Sequence, residues 1–252
     1  MPDHAAAHRQ SIDPGAVGPG IRLGRSFFER DVARVARELL GCTVSHRGPD
    51  RPDGTRGDVA VAVRLTEVEA YAGESDGASH AFRGLTPRTR VMFGPPGHLY
   101  LYLVYGMHWC ANIVTGPDGE ASAVLLRAGD VIGGVDEARA RRPRCRRDEH
   151  LARGPAGLAT VLGWTALENG YDLCAPDSRW EVTGGTGAAR GPVIAGPRVG
   201  VTRAAETPWR FVDDGAPSVS AFRSGGRRTP RPPTAPGVSD EAPSRTGRSP
   251  SP

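Results

Sequence analysis

Runs of alternating apolar residues dominate the middle of the chain: Val59, Val61, Val63 and Leu65, then Leu99 to Val104, Trp109 to Val114 and Ser122 to Ala128. Period-two alternation is the signature of a pleated strand with a core on one face. Gly116-Pro117-Asp118-Gly119 reads as a turn between the last two runs, and a polar, hairpin-like excursion through Asp53-Gly54 precedes the first. Val193 to Val201 and Trp209 to Val212 return to strand late in the chain. Helical spacing is confined to short pieces. Asp31 caps Val32 to Leu40 before Gly41, Thr86-Pro87 opens a short helix toward Met92 and Phe93, and Pro155 opens one through Leu162. Strand runs outnumber crossover helices, which predicts a single-domain α+β fold: a curved, mostly antiparallel β-sheet with surrounding helices and a protruding β-hairpin.

At 252 residues the chain can bury one sizeable core. Residues 1–20 and 223–252 are rich in Pro, Gly, Ser and Arg, with few large apolar residues to offset the entropy of ordering. Both are expected to be disordered, leaving 21–222 as the folded domain. The formal charge of +4 points to nucleic acid only until it is divided along the chain, because six Arg against Asp240 and Glu241 lie in 223–252. Only a local cluster within 21–222 can carry a DNA-binding reading.

No stretch reaches the roughly 18 to 20 apolar residues of a membrane helix, and the N-terminus lacks both a basic start and an apolar segment. A soluble, cytoplasmic protein without a membrane partner is expected, as a monomer. Cys42, Cys110, Cys145 and Cys174 are scattered, and no His pair has metal spacing, so neither disulfides, a metal nor another cofactor is expected. Every basic side chain is Arg. With no Lys, a lyase working through a lysine Schiff base is excluded, and only a Pro2 amine exposed by loss of Met1 could substitute.

Two segments carry candidate chemistry. In Leu65-Thr-Glu67-Val-Glu69-Ala-Tyr71, an unbroken pleat would set Glu67, Glu69 and Tyr71 on the apolar face of Val59 to Leu65, where carboxylates are expensive unless paired or employed. A bulge would instead return them to solvent. In His98 to Trp109, Tyr100 and Tyr102 share a face, whereas Tyr105 has the opposite parity and precedes Gly106. Tyrosines so placed can line a pocket or wedge into a base stack, although aromatic stripes more often pack a core. Arg83, Arg88 and Arg90 lie between the two segments, as a backbone-binding cluster or a solvated loop.

Taken together, Thr66-Glu-Val-Glu69-Ala-Tyr71, Ser79-His80, Thr86-Pro-Arg88-Thr-Arg90-Val-Met92-Phe93, Pro96 to Met107, Asn112-Ile113, Val124 to Ala128, Gly154 to Leu158 and Arg198 to Val201 resemble the alkyladenine (3-methyladenine) DNA glycosylase family. Their order and spacing agree over about Leu23 to Phe222. The resemblance implies a monofunctional glycosylase whose partner is double-stranded DNA containing damaged purines. It makes Glu69 the general base toward a water, with Arg127 and the Val199 carbonyl holding that water. It puts Tyr71, His80 and Tyr102 around an extruded base, makes Tyr105 the intercalating residue and Asn112 a pocket residue that rejects guanine. Met92, Arg83, Arg88 and Arg90 fall on the DNA-facing surface, with Arg203 as a further candidate, and the stretch Arg139 to Arg153 is either a phosphate contact or a solvated helix-loop. A lesion-binding protein without catalysis stays open as the alternative. A carbohydrate hydrolase using Glu67 and Glu69 is disfavoured, since residues two apart on one strand need not straddle a sugar.

Overall fold

The computed structural model describes residues 20–49, 58–184 and 191–225. The Asp53-Gly54 excursion and nearly all of both expected tails lie outside them. The helices are α1 (Arg25–Phe28), α2 (Val32–Leu39), α3 (Val135–Arg141) and α4 (Pro155–Leu162), and the strands are β1 (Thr43–Arg47), β2 (Val59–Tyr71), β3 (Leu99–Val104), β4 (His108–Val114), β5 (Ala123–Gly133), β6 (Trp180–Thr183), β7 (Val193–Gly196) and β8 (Arg210–Asp213). The eight strands form one antiparallel sheet in the order β3-β4-β5-β2-β1-β6, with β8 alongside β2 and β7 alongside β8. This is the expected α+β architecture.

Local chemistry explains the helices. The Asp31 side chain accepts the Arg34 N–H at 2.9 Å, a cap that contributes about 1 kcal/mol, and Val32, Val35, Ala36 and Leu39 turn inward. Pro155 begins α4 with the N–H it lacks at a position that has no helical partner, and Gly163 ends it at φ 73°. α2 packs on β2, and α4 on β4 and β5, closing the main core. Among the described residues no helix is long and apolar enough to cross a membrane.

Three expectations need correction. Pairing between β2 and β5 slips at Leu65/Glu67 and again at Glu67/Val68. Val61, Val63 and Leu65 face the core before that bulge, and Val68 and Ala70 after it. Glu67 and Glu69 therefore do not continue the apolar face, yet the bulge does not return them to solvent either: both are 0 % exposed. Secondly, the segment after Thr86-Pro87 is a turn followed by a 3-10 turn at Arg90–Phe93, because the Thr86 and Thr89 hydroxyls bond each other and nearby backbone. Thirdly, the strand from Val193 stops at Gly196: Pro197 has no N–H for a ladder, and Arg198 is drawn into the interior.

Candidate active site

β2 widens into the site where β8 joins its far half, pairing Glu67 with Val212 and Glu69 with Arg210 while β5 holds the other edge. Glu69 receives three hydrogen bonds: from the Tyr71 hydroxyl at 2.8 Å and Arg127 Nη1 at 3.2 Å on Oε2, and from the Val199 amide at 2.7 Å on Oε1. A carboxylate offers about four lone pairs, so one acceptor position remains, on Oε1. The side chain is buried, but Tyr71, Arg127 and Val199 all line a cavity of about 710 Å³.

Charge is distributed unequally between the two carboxylates. Burial dominates at Glu69 and raises its pKa, against the opposing pull of Arg127, the Val199 amide and the Tyr71 hydroxyl. Burial would raise Glu67 too, but Arg127 and Arg210 with the Ser220 amide outweigh it, and its pKa ends below the ordinary value. Arg127 Nε and Arg210 Nε each donate to Glu67 Oε1 at 2.8 Å, and Ser220 adds its amide at 2.7 Å and its hydroxyl at 2.9 Å. Glu67, with four donors and two guanidinium partners, is thus an anchor for Arg127, whereas Glu69, with three donors and one guanidinium, is the more basic carboxylate.

Sequence reasoning assigned no role to the pair behind this site. Arg198, 1 % exposed, donates to both oxygens of Asp76 and to the Ala70 carbonyl at 2.8 Å, and its guanidinium lies 4.7 Å from the Tyr71 ring centroid. Asp76 also accepts from the Ala72 and Ala78 amides. Arg198 immediately precedes Val199, so this ion pair pins the loop whose amide meets Glu69. Nothing in the local sequence around Asp76 signals it, since the pairing spans 122 positions.

Aromatic walls complete the cavity. The Tyr102 ring is 4.5 Å from His80 and 5.8 Å from Tyr100, in edge and tilted arrangements. His80 Nδ1 lies 3.0 Å from the Tyr100 hydroxyl, and Arg88 Nη2 approaches His80 Nε2 at 3.4 Å. Because Arg can only donate, Nε2 is the acceptor and the proton sits on Nδ1. His80 stands exposed at the cavity mouth, yet its ring is enclosed by these neighbours; that desolvation, with the Arg88 charge, pushes its pKa down to about 4. The ring is expected to stay neutral across the physiological range, titrating near pH 4 when followed by NMR. A midpoint near 6.5 would contradict this environment.

Asn112 lines the same cavity, its Nδ2 donating to the Tyr100 carbonyl at 3.0 Å. Tyr105 sits at the β3–β4 turn with φ 53°, followed by Gly106 at φ 70°. It is 90 % exposed beside Met107 at 69 %, an aromatic held outward in a left-handed conformation that costs about 1–2 kcal/mol. Arg83, Arg88 and Arg90 are exposed. Met92 differs from expectation: at 2 % exposed it belongs to a small core with Ala81 and Tyr100 and meets the cavity from within, because its 3-10 turn points it inward. At Val199 the recorded contact to Glu69 is made by the amide, on the opposite side of the residue from the carbonyl singled out above. The Arg139 to Arg153 stretch is largely committed within the fold: Arg139 to Asp136 and Asp148, Arg141 to Glu137, and Arg142 to the His150 and Leu151 carbonyls. The four cysteines form no disulfide with one another, and Cys110 lines the cavity beside Tyr102.

Known proteins resemble this chain over most of its length. The family model for methylpurine-DNA glycosylase matches residues 26–217. The "Putative 3-methyladenine DNA glycosylase" of Streptomyces avermitilis is 48 % identical over 211 residues, covering 83 % of this chain and 94 % of the relative. Proteins with the same description from Methanocella arvoryzae and Burkholderia lata are 43 % and 42 % identical, each over 79 % of this chain and 95 % and 91 % of theirs. A sheet, a buried glutamate beneath an aromatic cavity and a matching profile over most of the length lead to one conclusion: the chain belongs to the methylpurine-DNA glycosylase family.

Proposed function

We propose that this protein is a monofunctional DNA glycosylase, which extrudes an alkylated or deaminated purine from duplex DNA and hydrolyses its N-glycosidic bond with water activated by Glu69. Candidate substrates are 3-methyladenine, 7-methylguanine, hypoxanthine and ethenoadenine. The observation that carries the reading is Glu69 itself: a buried carboxylate with one acceptor position left, all three of whose hydrogen-bond donors line the cavity.

Loss of a purine builds oxocarbenium character on the sugar. An adjacent carboxylate stabilises that charge and accepts the proton of the attacking water, an effect of about 10² to 10⁴ for general-base assistance. A purine methylated at N3 or N7 already carries positive charge and leaves without an acid. Its cationic ring would gain about 0.5–2 kcal/mol against tyrosine faces, and a neutral His80 adds no repulsion. The Asn112 side chain, fixed by Tyr100, is suited to obstruct the 2-amino group of guanine. With no Lys in the chain, the abasic product is released uncut.

The direct test is incubation with duplexes carrying each of those lesions, followed by alkali to reveal abasic sites. Binding without alkali-labile sites would favour a non-catalytic lesion binder instead. Tyr105 fills the space left by the extruded base in this scheme, and aromatic–base stacking contributes about 1–3 kcal/mol, so Tyr105→Ala should weaken lesion-duplex affinity about 5- to 150-fold. Fluorescence of extruded ethenoadenine reads the same event, and a variant that binds and flips like the parent contradicts the role.

A further inference from the structure

Several arginines away from the cavity are matched with carboxylates: Arg25 with Asp172, Arg30 and Arg34 with Glu38, Arg139 with Asp136 and Asp148, Arg141 with Glu137. Two at its mouth are not. Arg203 and Arg223 are exposed, both line the cavity, and neither forms an ion pair among the described residues. Leaving a guanidinium unneutralised is unremarkable on a solvated loop, but both of these are tied to the loop that carries Val199.

Arg203 is set by close packing. Its Cβ lies where a Cβ on Gly77 would meet it at 3.3 Å, and its guanidinium is 5.7 Å from the Phe82 ring centroid. Arg223 is set by the backbone: its carbonyl accepts the Gly200 amide at 2.9 Å. Two residues later, Gly225 lies so close to the same loop that a Cβ there would come within 2.1 Å of the Val201 carbonyl oxygen, so only glycine fits. The described fold thus runs past residue 222, and its last residues place a cation beside the cavity.

We propose that Arg203 and Arg223 form a phosphate-binding rim, gripping the DNA backbone next to the extruded nucleotide. The inference rests on the glycosylase reading for its partner and goes beyond it in assigning Arg223 and in giving Arg203, a candidate for the DNA-facing surface, a phosphate beside the extruded nucleotide. A guanidinium offers paired donors that fit two phosphate oxygens, and here no carboxylate has to be displaced first. Phosphate neutralisation releases counterions, and each contact contributes about 0.9 to the slope of log affinity against log salt on B-DNA.

The test is a salt series with the full chain and a duplex containing a non-hydrolysable abasic analogue. The double variant Arg203→Gln, Arg223→Gln is expected to lose about two from that slope, Arg203→Lys with Arg223→Lys to recover most of it, and Arg37→Gln, on exposed α2 surface, to keep the parent value. A Gln double variant that melts like the parent and keeps the parent slope overturns the rim. If the unmodified chain bound the analogue but released no lesion base, the glycosylase reading would fail instead, independently of the slopes.

Discussion

Glu69→Gln is expected to slow base release from lesion duplex by about 10²- to 10⁴-fold, while binding of the same duplex survives. The substitution keeps shape and removes the charge. It also breaks the hydrogen-bond pattern in a definite way, since one carboxylate oxygen faces the Val199 amide and the other faces Tyr71 and Arg127. A glutamine presents one acceptor and one donor to what are otherwise donors on both sides. The Tyr71 hydroxyl can reverse and accept; the Val199 amide and Arg127 cannot, so one of them is left short at about 1–3 kcal/mol. Single-turnover release and a gel-shift titration on one preparation separate chemistry from binding. Undiminished turnover would sink the mechanism. Because the Glu69 pKa is raised, the acidic limb of the parent's rate profile should lie above the ordinary glutamate value of 4.5, activity falling as the base becomes protonated.

Arg127→Gln should have the largest effect on stability, about 3–5 kcal/mol, read as a lowered urea midpoint. Arg127 is the only cation hydrogen-bonded to Glu69 among the described residues and one of two on Glu67, and both carboxylates are 0 % exposed. Without it, Glu67 keeps Arg210 and Ser220, whereas Glu69 keeps only neutral donors. The sign of the pH response follows. A carboxyl whose folded pKa is raised destabilises increasingly as pH climbs from its unfolded value through its folded one, and removing Arg127 raises Glu69 further. The deficit should therefore narrow as pH is lowered toward that raised value. A constant deficit from neutral pH down to about 4.5 would show that the loss is one of packing rather than of charge.

The two substitutions together separate catalysis from scaffolding. Glu69→Gln retains a neutral group in the same space, so stability should change far less than activity. Arg127→Gln disturbs both, since the same guanidinium spans Glu67 and Glu69.

Much of the fold was legible because its signals are local. Alternation marked the strands, Asp31 and Pro155 marked helix starts, and each depends on residues within a few positions. The segments that misled are those where distant groups override local pattern. Arg198 leaves the expected strand for Asp76, and the Thr86–Thr89 hydroxyl pair tightens an expected helix into a turn. The site residues were visible mainly through family resemblance; from the residues alone, a carboxylate pair on an apolar pattern admitted either burial or a bulge to solvent.

By itself, then, the sequence determined an antiparallel α+β sheet and a chain without lysine chemistry, and through family resemblance it named Glu69, Tyr71, His80, Tyr102, Asn112, Arg127 and Val199 as candidates. What only tertiary structure decided was the state of those side chains. The slip between β2 and β5 turns Glu67 and Glu69 away from the core while β8 and the 198–201 loop cover them, so both are buried on the face opposite the apolar one. Which carboxylate is anchored and which is basic then depends on Arg127, Val199 and Arg210, groups brought in from 58 to 143 positions away. Hydrogen bonding and desolvation act over a few ångströms in space, and separation along the chain carries no record of them.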